Sequence, residues 1–436
     1  MALASTRGIR GSPSQAELKR LATSYKYPNY PPTDLVIYSS CQTAYLDFDR
    51  SSNQFGHRHA PPGWTPKVIV YMIPGNPGIV EFYEQFLSKL CASLIDCEVV
   101  CTGHLGHSLR NNSNLDLRFL RNFRLGIAEK AASGLGDGTL QDHIDYHHHV
   151  LHNLIHRGMV GSAQTKLIVI GHSVGAYIGT KLLENYPDHV MHFIGLFPTV
   201  SQIGRSPNGL RLAPLFSPIT LPFLNLMQII FSMLFIPQLL HHFLNFCFCC
   251  FNLNSKIASN KLLLKSKNIK LEQRKRLKAN LRIILSFIFS INATSAVLKM
   301  ARSEMKSILE LDANLMRKFS RKITLCWTSE AADGWVGETE VMEIMELFEQ
   351  CRIQNETQSI QSQTNLSDSQ IKLKAIGLSE KTIETRHSWQ PSTLEGVPQW
   401  RRFPQGVEHA YCLKHDAIVA KECSSMIKAL LMKSKA

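Results

Sequence analysis

Residues 166–179, KLIVIGHSVGAYIG, restrict the folds open to this chain more than any other stretch. The apolar, β-branched run at its start reads as a buried strand, and the pattern after it reads as a helix. Between them lies Gly171-His172-Ser173-Val174-Gly175, a G-x-S-x-G pentapeptide. A serine held at so sharp a strand-to-helix turn takes strained backbone angles. Side chains two residues to either side would crowd the turn, and Gly171 and Gly175 remove them. The helix that begins there aims free N–H groups and its positive dipole end at the turn, where an oxyanion is stabilised. Ser173 is therefore a candidate nucleophile, with Gly171, His172 and Gly175 forming the elbow that presents it.

Such a serine needs a general base, and the base needs an orienting acid. Behind an elbow of this kind the acid and then the base follow in the chain. The strand-like KITLCWTS (322–329) runs into Glu330-Ala331-Ala332-Asp333-Gly334-Trp335. Asp333 is favoured as the acid because its short side chain, beside a glycine, turns inward easily; Glu330 is the competing carboxylate. The base belongs in the loop before the closing helix. His409 stands there, in Gly406-Val407-Glu408-His409-Ala410-Tyr411, and His415 is the alternative nearer the helix start. Imidazole suits the role because it titrates near neutrality. The N–H of Val174 is one expected oxyanion donor. The second is expected from Pro74-Gly75-Asn76-Pro77-Gly78, through Gly75 or Asn76, since Pro77 has no N–H. No G-K-[ST] follows this loop, so it does not read as a phosphate cradle. The chemistry calls for no cofactor.

Elsewhere, strand-like and helix-like runs alternate, which implies an α/β protein with a mostly parallel sheet covered on both faces. DLVIYSS (34–40) and AYLDFD (44–49) read as two short antiparallel strands at its edge. Residues 1–33 read as a loose leader without a secretory h-region. Residues 34–199 form the first part of the core, 301–351 the second, and 398–436 the last strand, the histidine loop and the closing helix. An apolar and basic cap or lipid-anchoring insertion fills 200–300. A Gln-, Ser-, Thr- and Lys-rich segment, 352–397, reads as a disordered loop insertion.

The formal charge is +14, and much of it is local: residues 256–282 hold ten Lys or Arg and one Glu. This basic run directly follows an apolar tract, 215–251, which favours an anionic lipid surface over nucleic acid. The tract exceeds the ~20 residues that span a bilayer. Pro218, Pro222, Pro237 and His241-His242 interrupt it, so an interface-inserted hairpin or a greasy lid is expected rather than one clean span. The eleven cysteines lack paired C-x-x-C spacing, which points to free thiols in a reducing compartment. Sequons at Asn111, Asn292, Asn355 and Asn365 are then expected to be unmodified. His143, His147, His148, His149, His152 and His156 crowd one predicted helix, but no H-E-x-x-H pattern accompanies them. A polar helix face is the expectation there, and no metal. His104, on the loop after CEVVCT, is expected to line the site.

Together these residues resemble the lipid droplet-associated hydrolases. The resemblance is carried by Ile73-Pro74-Gly75-Asn76-Pro77-Gly78 with Phe82-Tyr83, and by Gly171-His172-Ser173-Val174-Gly175-Ala176-Tyr177. Leu196-Phe197-Pro198-Thr199, Ser206-Pro207-Asn208-Gly209, Asp333-Gly334-Trp335 and His409-Ala410 add to it. It implies an α/β-hydrolase fold, a sterol-ester or neutral-lipid hydrolase activity, and a home on lipid droplets and the cytosolic face of the endoplasmic reticulum membrane. Ser173, Asp333 and His409 would be its triad. Contacts with lipid would run through 215–251 and 256–282. Two departures stand out: the 352–397 insertion lengthens the interval from acid to base, and Trp335-Val336-Gly337 lacks the family's proline.

Overall fold

The computed structural model describes residues 18–28, 33–40, 45–58, 66–109, 138–158, 165–217, 220, 223, 261–288, 290–328, 333–363 and 399–433. Ten strands are described: β1 Lys19–Tyr25, β2 Thr33–Ser39, β3 Tyr45–Asp49, β4 Gln54–Arg58, β5 Val68–Ile73, β6 Cys97–Thr102, β7 Lys166–His172, β8 Val190–Leu196, β9 Ile323–Trp327 and β10 Gln399–Arg402. Eight of them form one sheet in the order β1-β2-β6-β5-β7-β8-β9-β10. From β6 to β10 every pairing is parallel; β1–β2 and β2–β6 are antiparallel. This strand order, with an elbow serine after a central strand, is that of an α/β-hydrolase.

The parallel strands are apolar throughout because both sides of the sheet are covered. Along β5, Ile69, Tyr71 and Ile73 enter one core, while Val68, Val70 and Met72 enter the other. The first face is closed by α2 (Leu140–Asn153), through Tyr146 and Val150, and by α3 (Val174–Asn185), through Ile178 and Leu182. The second is closed by α1 (Glu84–Ala92) and by the final helix α10 (Asp416–Lys433), through Phe86, Leu90, Val419 and Met426.

The structure departs from the sequence reading at several places. Part of the 1–33 leader is strand: β1 pairs with β2 along its whole length. β2 and β3 are not partners, because β1 and β6 already occupy both edges of β2. β3 instead forms a separate hairpin with β4, fixed by Phe48 and Phe55, which lie opposite each other and are buried. Helix α8, Glu338–Gln363, runs well into the segment read as a loop. Cys351 and Arg352 are buried along it. The remainder of that segment, and most of the 215–251 tract, lie outside the described residues.

Within 200–300 the described α-helices are α4 (Pro207–Leu212), α5 (Lys261–Ile288) and α6 (Ile291–Ser307). α5 ends at Ile288, and Ser290 caps α6 by accepting from Ala293 N–H. Among the described residues no single helix is long and apolar enough to cross a membrane. Arg276–Ile288 and Asn292–Ser307, bent by 83°, meet that test only as a pair. α5 is anchored to the core. Arg276 and Lys89 both pair with the buried Asp416 carboxylate, and Asn280 Nδ2 donates to Leu413 O at 3.1 Å. Ile283 and Phe287 pack on Ile79 and Ala293, above the loop after β5.

Candidate active site

The elbow is built as the glycines require. Ser173 has φ 53° and ψ −124°, a strained conformation for a residue with a side chain. A Cβ on Gly171 would sit 2.3 Å from Gly175 O, and one on Gly175 would sit 2.4 Å from Ile73 O. The turn is pinned to its neighbour strand: Ser173 N–H donates to Leu196 O at 3.0 Å.

Three side chains from distant parts of the chain meet at this turn. Ser173 Oγ lies 3.0 Å from His409 Nε2, and His409 Nδ1 lies 3.0 and 2.9 Å from the two oxygens of Asp333. A carboxylate only accepts, so His409 carries its hydrogen on Nδ1 and its Nε2 accepts from the serine hydroxyl. Asp333 also accepts from Trp335 N–H at 2.9 Å, which fixes the carboxylate. Of the sequence candidates, then, Ser173, Asp333 and His409 come together. His415 makes no hydrogen bond to Ser173 or Asp333 among the described residues, and Glu330 lies outside them.

The acid loop has a support that the residues alone did not reveal. Asn208 N–H donates to Gly334 O at 2.7 Å, and a Cβ on Gly334 would meet Asn208 Nδ2 at 2.4 Å. Asn208 is held in turn by the cap of α4, where Ser206 Oγ accepts from Gly209 N–H. The Ser206-Pro207-Asn208-Gly209 run is thus a bracket for the loop carrying Asp333. Phe197, at φ 48°, stacks between Phe403 and Tyr411 with ring centroids 5.1 and 5.8 Å away, and walls in His409.

The Pro74–Gly78 loop lies directly over the serine: a Cβ on Gly75 would fall 2.8 Å from Ser173 Cβ. Of its two candidate donors, Gly75 is removed. Its N–H donates to Tyr83 Oη at 2.9 Å. The N–H groups of Asn76 and Val174 make no hydrogen bond among the described residues. The Asn76 side chain turns the other way, its Nδ2 donating to Val297 O at 3.1 Å and Glu304 Oε1 at 3.0 Å on α6. Burial pushes the Glu304 carboxyl up to about 8.

His104 does not line the site. It is buried beneath the loop, where a Cβ on Gly78 would come 2.4 Å from its ring. Its neighbours are His107, His143 and His147; His107 donates to Pro77 O at 2.6 Å, and His147 bonds His104 at 2.9 Å and Tyr71 Oη at 2.7 Å. The inner face of α2 is therefore core at His143 and His147, not polar surface. Burial drives all four imidazoles down, His107 to about 4 and His147 to about 3. Among the described residues no group of three or more His, Cys, Asp or Glu is arranged to hold a metal ion. His172, fully enclosed, contacts Tyr83 and the His409 backbone, and burial beside His409 holds its pKa well below the usual histidine range.

Residues 66–366 match the family described as lipid-droplet associated hydrolase. The chain belongs to that family. Two curated members to which it is similar are the lipid droplet-associated hydrolases of Pongo abelii, 32% identical over 152 residues, and of Homo sapiens, 31% identical over 153. Each match takes in 34% of this chain and 43% of the relative, so the chain spans less than half the length of these members. A peroxisomal alpha-beta-hydrolase from Saccharomyces cerevisiae is similar in structure, with a TM-score of 0.46, 11% identity, and coverage of 95% of this chain and 90% of that one.

Proposed function

We propose that this member of the lipid-droplet associated hydrolase family is a serine hydrolase that cleaves acyl esters of neutral lipids, sterol esters or acylglycerols, at a lipid surface. The observation that carries the reading is the 3.0 Å contact of Ser173 Oγ with a histidine whose other nitrogen is bound to a buried carboxylate. In the reaction, His409 Nε2 takes the hydroxyl proton as Ser173 Oγ bonds to the ester carbonyl carbon. Asp333 stabilises the imidazolium without being protonated. The carbonyl oxygen becomes an oxyanion held by the N–H groups of Val174 and Asn76. Collapse expels the alcohol, which takes the proton from His409, and leaves an acyl-Ser173. Water, deprotonated by His409, then releases the fatty acid and restores the serine.

A lipid surface as the working place draws support from exposed apolar side chains on elements tied to the triad. Leu210 and Leu215 follow the bracket at Asn208; Leu277, Leu281 and Ile288 lie on α5, which is bonded to Leu413 in the helical turn after His409. We assign the site of action to the droplet monolayer and the cytosolic face of the endoplasmic reticulum. The basic residues of 256–282 would meet anionic head groups there. The test is hydrolysis of cholesteryl oleate and trioleoylglycerol emulsions against soluble p-nitrophenyl butyrate. The proposal expects turnover of the emulsions that Ser173→Ala abolishes. Turnover of the soluble ester alone would make the protein a small-substrate esterase. No turnover of either would make it a non-catalytic droplet protein.

A further inference from the structure

Behind the triad runs a chain of hydrogen bonds that the reaction scheme does not use. Gly75 N–H donates to Tyr83 Oη at 2.9 Å; Tyr83 Oη lies 2.7 Å from His172 Nδ1; His172 Nε2 lies 3.0 Å from the carbonyl oxygen of His409. Every role in it is forced. A carbonyl only accepts, so His172 Nε2 must carry a hydrogen. In the neutral ring Nδ1 then accepts, and the donor to it is the Tyr83 hydroxyl. That hydroxyl, having given its one hydrogen, accepts from Gly75. Tyr83 and His172 are buried, so each missing bond would leave an unpaired polar group out of water.

The chain joins the three pieces that must keep register for ester cleavage. Gly75 adjoins the free amide of Asn76; His172 adjoins Ser173 within the elbow; the last acceptor is the backbone of the base itself. We infer that Tyr83 and His172 are positioning residues, forming a buried relay that sets the oxyanion loop and His409 against Ser173 in one geometry. The inference rests on the serine-hydrolase reading above. By occupying the Gly75 N–H, the relay leaves Asn76 as the loop's free amide. It also keeps His172 a neutral Nε2–H imidazole, although its ring centroid is only 5.2 Å from that of His409. A second imidazolium at that distance would oppose the proton transfer to His409.

The experiment uses the full chain with p-nitrophenyl butyrate, so that no lipid surface intervenes. Tyr83→Phe, a loss of one oxygen, is expected to lower kcat about 10- to 100-fold with KM within twofold, a milder loss than removal of an oxyanion donor. His172→Gln keeps an amide donor for the His409 carbonyl and is expected to retain at least tenfold more kcat than His172→Leu. Nitrogen-15 shifts of His172 should show the neutral Nε2–H tautomer from pH 5 to 8. A Tyr83→Phe kcat within twofold of wild type, equal losses in the two His172 variants, or an Nδ1–H or charged His172 at pH 7 would each overturn the relay. Absence of turnover from the wild type would overturn the esterase reading instead, and the tautomer would then decide the relay alone.

Discussion

At Asp333 the carboxylate grips both His409 Nδ1–H and Trp335 N–H, so an amide in its place would hold the imidazole in the wrong tautomer. Asp333→Asn is expected to cut esterase kcat by about 10⁴-fold, as loss of the orienting acid does in such triads. Steady-state kinetics check it, with Glu330→Gln expected to stay near wild type; the reverse order would move the acid to Glu330. His409→Gln should cost as much and should remove any ionisation near neutrality from the kcat/KM profile, while a profile unchanged in shape would point to another base. The meeting of Ser173, Asp333 and His409 was legible because each sits in a chain position that the elbow's chemistry dictates. The loop's proposed oxyanion donor was legible only as a pair of neighbours, Gly75 and Asn76. Nothing in Pro74-Gly75-Asn76 tells which amide is free, because the choice is made by Tyr83, whose hydroxyl reaches Gly75 only in the folded chain. His104 failed for a similar reason. Its place after β6 puts it near the site, but Gly78, lacking a Cβ, lets the ring slide underneath the loop.

Among the elements, the buried strands were readable because two-sided burial leaves an unbroken apolar run, as in VIVYMI of β5. β1 was not, since an edge strand only partly covered by the two cores, KRLATSY, carries no such run. The extension of α8 past residue 351 was hidden by its polar composition, although Arg352, at its start, is fully buried. The tract 215–251 and the basic helix α5 carry the attachment prediction. Burying a handful of Leu, Phe and Ile in a monolayer gains several kcal/mol at roughly 25 cal/mol per Å². Each Lys or Arg at an anionic surface adds about 1 kcal/mol, and only that part is screened by salt. Deleting 215–251 is therefore expected to move a fluorescent fusion from droplets to cytosol. Neutralising the lysines between 256 and 278 should only weaken attachment, and more so at high salt. A deletion variant that still coats droplets would make the tract a buried cap.

For the molecule as a whole, the buried titratable groups set the dependence of stability on pH. His104, His107, His143, His147 and His172 are all held below the ordinary value of 6.5 in the fold. Unfolding takes up their protons once the pH is below 6.5. Their contribution is complete above that value and is lost as pH falls toward about 4 for His107 and about 3 for His147, each group costing about 1.4 kcal/mol per pH unit. Glu304, raised from 4.5 to about 8, acts in the opposite sense: its contribution is full below 4.5 and is lost as pH rises through about 8. Among the described residues, these five imidazoles against two raised carboxylates, Glu304 and Glu340, predict a stability maximum near pH 6.5 to 7, a steep fall on the acid side and a shallow one on the alkaline side. Urea midpoints from pH 5 to 9 measure it, and a midpoint unchanged between pH 7 and pH 5 would contradict the buried histidine cluster.

The central claim is that Ser173, activated by His409 and Asp333, is a nucleophile. Intact-mass measurement after incubation with a fluorophosphonate tests it most directly, because the reagent bonds to an activated serine oxygen and stays there. The wild type is expected to gain one phosphonyl adduct, mapped by peptide sequencing to Ser173; Ser173→Ala should gain none while keeping its circular dichroism, and His409→Gln should react far more slowly. An unlabelled wild type, or equal labelling of wild type and Ser173→Ala, would contradict the account.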